Sequence, residues 1–157
     1  MRKIVKEISL LDKSLGRIID STELCDLGSE EPNKSHFEVL VSSVISQQLA
    51  TAAAQTIRKR FISECGKVTP KQVAAMEHDQ LRSAGLSGSK AKTIKGLAEA
   101  ALNKSIDFNK LHHLNDEEVY KRLTSLWGIG PWTVDMFMMF QLGRLDIWPT
   151  GDLGVRR

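Results

Sequence analysis

In Leu126-Trp127-Gly128-Ile129-Gly130-Pro131-Trp132-Thr133, two glycines flank one aliphatic residue and are followed at once by a proline and a tryptophan. Neither glycine carries a Cβ, so the chain can reverse within a few residues and lie close against another surface. Pro131 suits the first position of a helix, whose leading N–H groups lack intrahelical acceptors and carry the positive end of the helix dipole. Such a start is a phosphate site, and a hairpin of this kind can hold one DNA strand without reading a base. By spacing alone, the same residues also describe a tight turn between two helices. Trp132 can offer an electron-rich ring face to a cation, an attraction of roughly 0.5–2 kcal/mol, or it can pack in a core. Asp152 follows the turn-prone Trp148-Pro149-Thr150-Gly151 and stands before Leu153-Gly154-Val155. A carboxylate at a helix start stays ionised and can face a developing positive charge, or it can serve only as a cap.

These residues need elements to position them, and the periodicity is helical throughout, which predicts an all-α chain. Ile4, Ile8, Leu11, Leu15 and Ile18 form the stripe of a first helix over about 2–19, followed by the polar loop STELCDLGSEEPNKS. Phe37, Leu40, Val41, Val44 and Ile45 share one helix face. That stripe breaks at Ser46-Gln47-Gln48-Leu49-Ala50 and resumes at Ala52, Ala53, Ile57 and Phe61, which predicts two helices joined by a polar corner, with Thr51 as a cap. Thr69-Pro70-Lys71-Gln72 combines an N-cap threonine, a first-turn proline and a returning glutamine. Gly85 and Gly88 mark a turn before a helix over about 89–103, whose Lys90, Lys92 and Lys95 form either a solvated face or a row of phosphate contacts. Asn115-Asp116-Glu117-Glu118 is a capping box opening the helix that ends at the glycine pair.

The bulk numbers are consistent with one domain over 1–157. The formal net charge is +3, and of the 22 Lys/Arg and 19 Asp/Glu, residues 1–36 hold six and seven, leaving sixteen and twelve in residues 37–157. The basic surplus therefore lies on the side of the hairpin, although it is too small to decide a partner. No apolar run approaches the roughly 20 residues that span a bilayer, and MRKIVKEISLLDKSLG lacks a signal-peptide core, so an intracellular protein without a membrane partner is expected. Cys25 and Cys65 form no CxxC pair, and His36, His78, His112 and His113 show no metal-ligand spacing. Asp135, one turn beyond Trp132, is either a first-turn acid or a base contact.

Four stretches in order, HFEVLVSSVISQQLATAAAQTI, LRSAGLSGSKAKTIKGLAEAAL, LTSLWGIGPWTVDMF and DIWPTGDLGVRR, resemble the helix-hairpin-helix (HhH-GPD) DNA glycosylases, and within them the alkylbase, DNA-3-methyladenine glycosylase II type. The resemblance implies helical lobes with a cleft beside a hairpin motif at about 115–142, and a double-stranded DNA partner carrying damaged bases. No organic or redox cofactor and no obligate protein partner are expected. It implies that Asp152 is the catalytic carboxylate of a monofunctional hydrolase. A tryptophan stands at 132 where strand-cutting relatives carry a Schiff-base lysine. Asp135 and Trp148 are further candidates for the base pocket. It places an intercalating side chain at the polar corner, Gln48 or its neighbour Leu49, with Gln47 beside them. Gly128, Ile129, Gly130, Thr133 and Lys90 would meet the DNA backbone, and no metal is required, though the backbone at Thr124, Leu126 and Ile129 matches a monovalent-cation site. Two other readings stand beside this one: a glycosylase for oxidised or deaminated bases, and a non-enzymatic DNA-binding module. Because the resembled enzymes continue with further helices, a C-terminally shortened member with a more open pocket is expected.

Overall fold

The computed structural model describes residues 2–23 and 34–156, and among them every regular element is a helix. In order these are α1 (Arg2–Leu11), α2 (Lys13–Ser21), α3 (His36–Ser46), α4 (Thr51–Cys65), α5 (Pro70–Ala75), α6 (His78–Ser83), α7 (Gly88–Leu102), a 3-10 helix (Phe108–His113), α8 (Asp116–Thr124) and α9 (Pro131–Phe140). Local signals explain most of the starts. The Thr69 hydroxyl accepts the Gln72 N–H, and the Asn115 side chain accepts the Glu118 N–H. Ser87 caps α7 through the Lys90 N–H, so the helix begins at Gly88, one residue before the expected Ser89. Thr51 is not a cap: it is the first residue of α4, and Ala50 in the cap position offers no side-chain acceptor.

The core gathers around α3, which packs on α4, α7, α9 and the 3-10 helix, while α7 also receives α5 and α6. Leu40 and Val44 of α3, Phe61 of α4, Ile94 and Leu97 of α7, Leu123 of α8 and Phe137 of α9 are fully or almost fully buried. Burying side chains of this size contributes about 1.5–3 kcal/mol each, which is why the helices have one arrangement. The ends of α9 and α8 are tied by Arg144, whose guanidinium donates to the carbonyls of His112 (3.2 Å) and Leu114 (2.7 Å) and lies 3.2 Å from the Asp116 carboxylate.

The N-terminal region departs from the expected single helix over 2–19. The Asp12 carboxylate accepts the N–H groups of Ser14 (2.7 Å) and Leu15 (3.0 Å) in an extended conformation, so it ends one helix and caps the next. The two helices fold on each other, with Gly16 buried against Ser9. The expected stripe is exposed at Ile4, Ile8, Leu11, Leu15 and Ile18, because among the described residues α1 and α2 pack chiefly on each other. Most of the polar loop that follows, including Cys25, lies outside the described residues; Cys65 is a buried free thiol.

Candidate functional site

The hairpin between α8 and α9 is built by short-range bonds. The Leu126 N–H donates to Leu123 O (3.1 Å) and the Ile129 N–H to Leu126 O (3.2 Å), while the side chain of Ile129 is buried and anchors the loop. Gly128 sits at φ 81, in the left-handed region that glycine tolerates. A Cβ there would stand 2.0 Å from the Thr93 hydroxyl, so α7 touches the hairpin backbone directly. Gly130 is extended and precedes Pro131, the first residue of α9. Among the described residues the N–H groups of Gly128, Gly130 and Trp132 find no backbone acceptor. Open N–H donors at and just before a helix start are the kind of group that can receive an anion.

The polar corner is held against this hairpin. The Gln47 amide donates to Gly128 O (3.3 Å) and to the Thr133 hydroxyl (3.1 Å), and Thr133 is itself buried. From the other side the Lys90 ammonium donates to the carbonyls of Ile45 and Gln47, both at 2.7 Å, at the open end of α3. Burial holds the Lys90 pKa below the ordinary lysine range. Two of the three Lys90 N–H groups are thus taken by carbonyls at the end of α3, which leaves one for the phosphate that the resemblance assigns to it. Lys95 is likewise turned inward, onto Ala74 O (2.7 Å) and the Met76 carbonyl. Between these clamps Gln48 is exposed at φ 56, a strained conformation for a residue with a side chain, and Leu49 beside it is also exposed.

Two sequence-predicted residues twenty positions apart meet at the hairpin mouth. The Trp132 indole N–H donates to Asp152 Oδ2 at 2.7 Å. Asp152 Oδ1 accepts the N–H groups of Gly154 (2.7 Å) and Val155 (3.3 Å). The indole bond first, and then the backbone bonds, hold this carboxyl below the usual carboxylate range. No lysine or arginine among the described residues pairs with it. The expected helix after Asp152 is a turn closed by Arg156 N–H on Asp152 O (3.1 Å), so one carboxylate oxygen caps the turn while the other accepts only the indole N–H. Trp132 is not a core residue, since 43% of it is exposed.

A cavity of about 320 Å³ opens between α3 and α9, lined by Lys34, Val39, Ser42, Ser43, Ser46, Arg58, Trp132, Thr133 and Met136. Sequence reading had missed Lys34, the three serines, Arg58 and Met136. The signal was present in Ser42, Ser43 and Ser46, which interrupt an otherwise apolar helix at positions that share one side with Val39. Asp135 and Trp148 do not line this cavity. They border a separate depression with Tyr120, Asp116, Glu117 and Asp146. Burial pushes the Asp135 carboxyl up, and Trp148 is 76% exposed. A larger cavity, about 920 Å³ and rimmed by Lys34, Lys67, Lys104 and Lys110, lies at the other end of α3 and holds none of the predicted residues.

Comparison with known proteins matches residues 41–157 to the model of the HhH-GPD superfamily base excision DNA repair protein. Over 156 residues the chain is 31% identical to the alkylbase DNA glycosidase-like protein mag2 of Schizosaccharomyces pombe, covering 96% of this chain and 73% of that one. The crystal structure of a DNA-3-methyladenine glycosidase from Bacillus halodurans superimposes with a TM-score of 0.83 at 36% identity, covering 96% of this chain and 69% of that one. The S. pombe 3-methyladenine DNA glycosylase Mag1, solved in complex with abasic DNA, gives 0.79 at 31% identity, with 98% and 77% covered.

Proposed function

Because this chain belongs to the HhH-GPD superfamily of base excision DNA repair proteins, we propose that it is a DNA-3-methyladenine glycosylase, hydrolysing the bond between deoxyribose and an alkylated purine in duplex DNA inside the cell, with Asp152 as its catalytic carboxylate. The observation that carries this reading is the 2.7 Å bond from Trp132 to Asp152, which has no cationic partner among the described residues, at the mouth of the hairpin. Breaking an N-glycosidic bond leaves positive charge on the sugar, and a fixed anion close to it lowers that barrier. One Asp152 oxygen is oriented by backbone N–H groups and the other by the indole, so the charge is held in place before the reaction begins. The same carboxylate can orient the water that completes hydrolysis.

An alkylated purine is cationic and already a good leaving group, so selection matters as much as chemistry. The Trp132 ring and the cavity behind it receive the flipped base, with the hydroxyls of Ser42, Ser43 and Ser46 and the thioether of Met136 as its walls. The free N–H groups of Gly128 and Gly130 hold the strand through a phosphate. The carbonyls of Thr124 and Ile129 accept no backbone N–H from beyond the helices and that of Leu126 only one, so these oxygens fit a monovalent cation, which would add charge facing that phosphate. Gln48, clamped in its strained corner by Gln47 and Lys90, fills the gap left in the stack.

Release of 3-methyladenine or 7-methylguanine from methylated DNA tests the activity; excision confined to oxidised or deaminated bases would move the chain to another specificity. Since Trp132 occupies the place of a lyase lysine, borohydride added during turnover is expected to trap no protein–DNA adduct, and an adduct on a denaturing gel would refute hydrolysis by water. Gln48→Ala is expected to slow excision from duplex more than from single strands, because only the duplex has a gap to fill. Equal losses on both would transfer the wedge to Leu49.

A further inference from the structure

We infer that Trp127 and Lys92 form a second DNA contact beside the hairpin, the indole lying on a deoxyribose of the held strand and the ammonium on its neighbouring phosphate. The inference rests on the reading of the hairpin as the DNA-binding element. Of the three lysines in the first turns of α7, Lys90 and Lys95 have their ammonium groups on carbonyls of neighbouring helices. Lys92 is exposed, and no carboxylate among the described residues pairs with it. Its nitrogen sits 4.5 Å from the centre of the Trp127 ring. Trp127 is the residue immediately before Gly128 and is 54% exposed. Its neighbour Thr93 is pressed against the Gly128 backbone, so Lys92, Trp127 and the hairpin share one rigid place.

A large apolar ring left in water beside three unpaired N–H donors costs hydration free energy that a bound sugar edge would recover. The ring accepts no hydrogen bond from the ammonium in the ordinary sense, so the three N–H groups of Lys92 stay available to phosphate oxygens. Holding the cation over the indole also removes most of the side-chain entropy that a free surface lysine loses on binding. The contact is to backbone alone, so it adds affinity for any sequence and steeper dependence on salt.

The test is fluorescence anisotropy on an undamaged labelled duplex across a salt series, with thermal unfolding of each variant as the control for folding. Trp127→Ala is expected to weaken binding about tenfold, with Trp127→Phe intermediate. Lys92→Ala is expected to lower the slope of log affinity against log salt by about one, which Lys92→Arg restores. Variants that unfold like the parent but bind with unchanged affinity and slope would show the pair to be internal packing and overturn the inference alone. A parent chain that binds no duplex would overturn the hairpin reading and this inference together.

Discussion

Asp152→Asn is expected to lower single-turnover excision of an alkylated purine by about a hundredfold or more, while affinity for duplex DNA stays within a few-fold of the parent. The substitution is chosen because asparagine keeps the shape of the side chain and an oxygen that can still accept the Gly154 and Val155 N–H groups, so the turn after it survives. What disappears is the negative charge, together with the acceptor for the Trp132 indole N–H, which then faces the amide nitrogen. The remaining barrier reduction would come from strand holding and base flipping, which do not involve Asp152. Near-normal excision by the variant would remove Asp152 from the mechanism and leave it as the cap of its turn. The same carboxyl also sets a pH expectation. Its pKa is depressed, so the anion exists above that low value and is lost only as pH falls through it. Excision should therefore show no acid limb from Asp152 between neutral and mildly acidic pH. Trp132→Phe deletes the largest cause of the depression, the indole hydrogen bond, and should move that limb to higher pH. A pH profile identical to the parent's would show that the bond does not tune the group in solution.

Gly128→Ala is expected to destabilise the fold by about 2–5 kcal/mol. Roughly 1–2 kcal/mol arises from placing a Cβ in the left-handed region, and about 1–3 kcal/mol from overpacking. The packing cost has an address: the new methyl would lie 2.0 Å from Thr93 Oγ1 and 3.0 Å from both Cβ and Cγ2. Adding Thr93→Ala to Gly128→Ala should recover part of the loss, because it deletes two of those three atoms, while the conformational cost at φ 81 remains. Gly130→Ala makes the contrast, since its Cβ would meet nothing within 4 Å and its backbone is extended. It should unfold like the parent. At this chain length each kcal/mol moves the thermal midpoint by about 2–4 °C, so Gly128→Ala should melt roughly 4–20 °C early. A midpoint within a degree or two of the parent's would mean that α7 yields at Thr93 and that the hairpin is not clamped there.

Residues acting within a turn of themselves are readable without a structure, because caps, prolines and glycine corners depend on only a few neighbouring atoms. The helical class, the starts at Thr69 and Asn115, the apolar face of Phe37, Leu40, Val41, Val44 and Ile45, and the hairpin from Gly128 to Pro131 all follow from such local chemistry. The break at Asp12 was legible in the same terms but was hidden by a continuous apolar stripe, which periodicity ranks above a single cap. The fates of long side chains were not legible. Lys90, Lys92 and Lys95 look alike in sequence, yet two cap distant helices and one covers an indole, because only packing brings the carbonyls of Ile45, Gln47, Ala74 and Met76 within reach. For the same reason Asp135 and Trp148 were grouped with Trp132, whereas packing places both beside the start of α8, away from the cavity that Trp132 lines. The bond between Trp132 and Asp152, the bridge from Gln47 to the hairpin, and the cavity walled by Ser42, Ser43 and Ser46 each join segments far apart in the chain. Their geometry was decided by the burial of the core around α3, which sets where every helix end points.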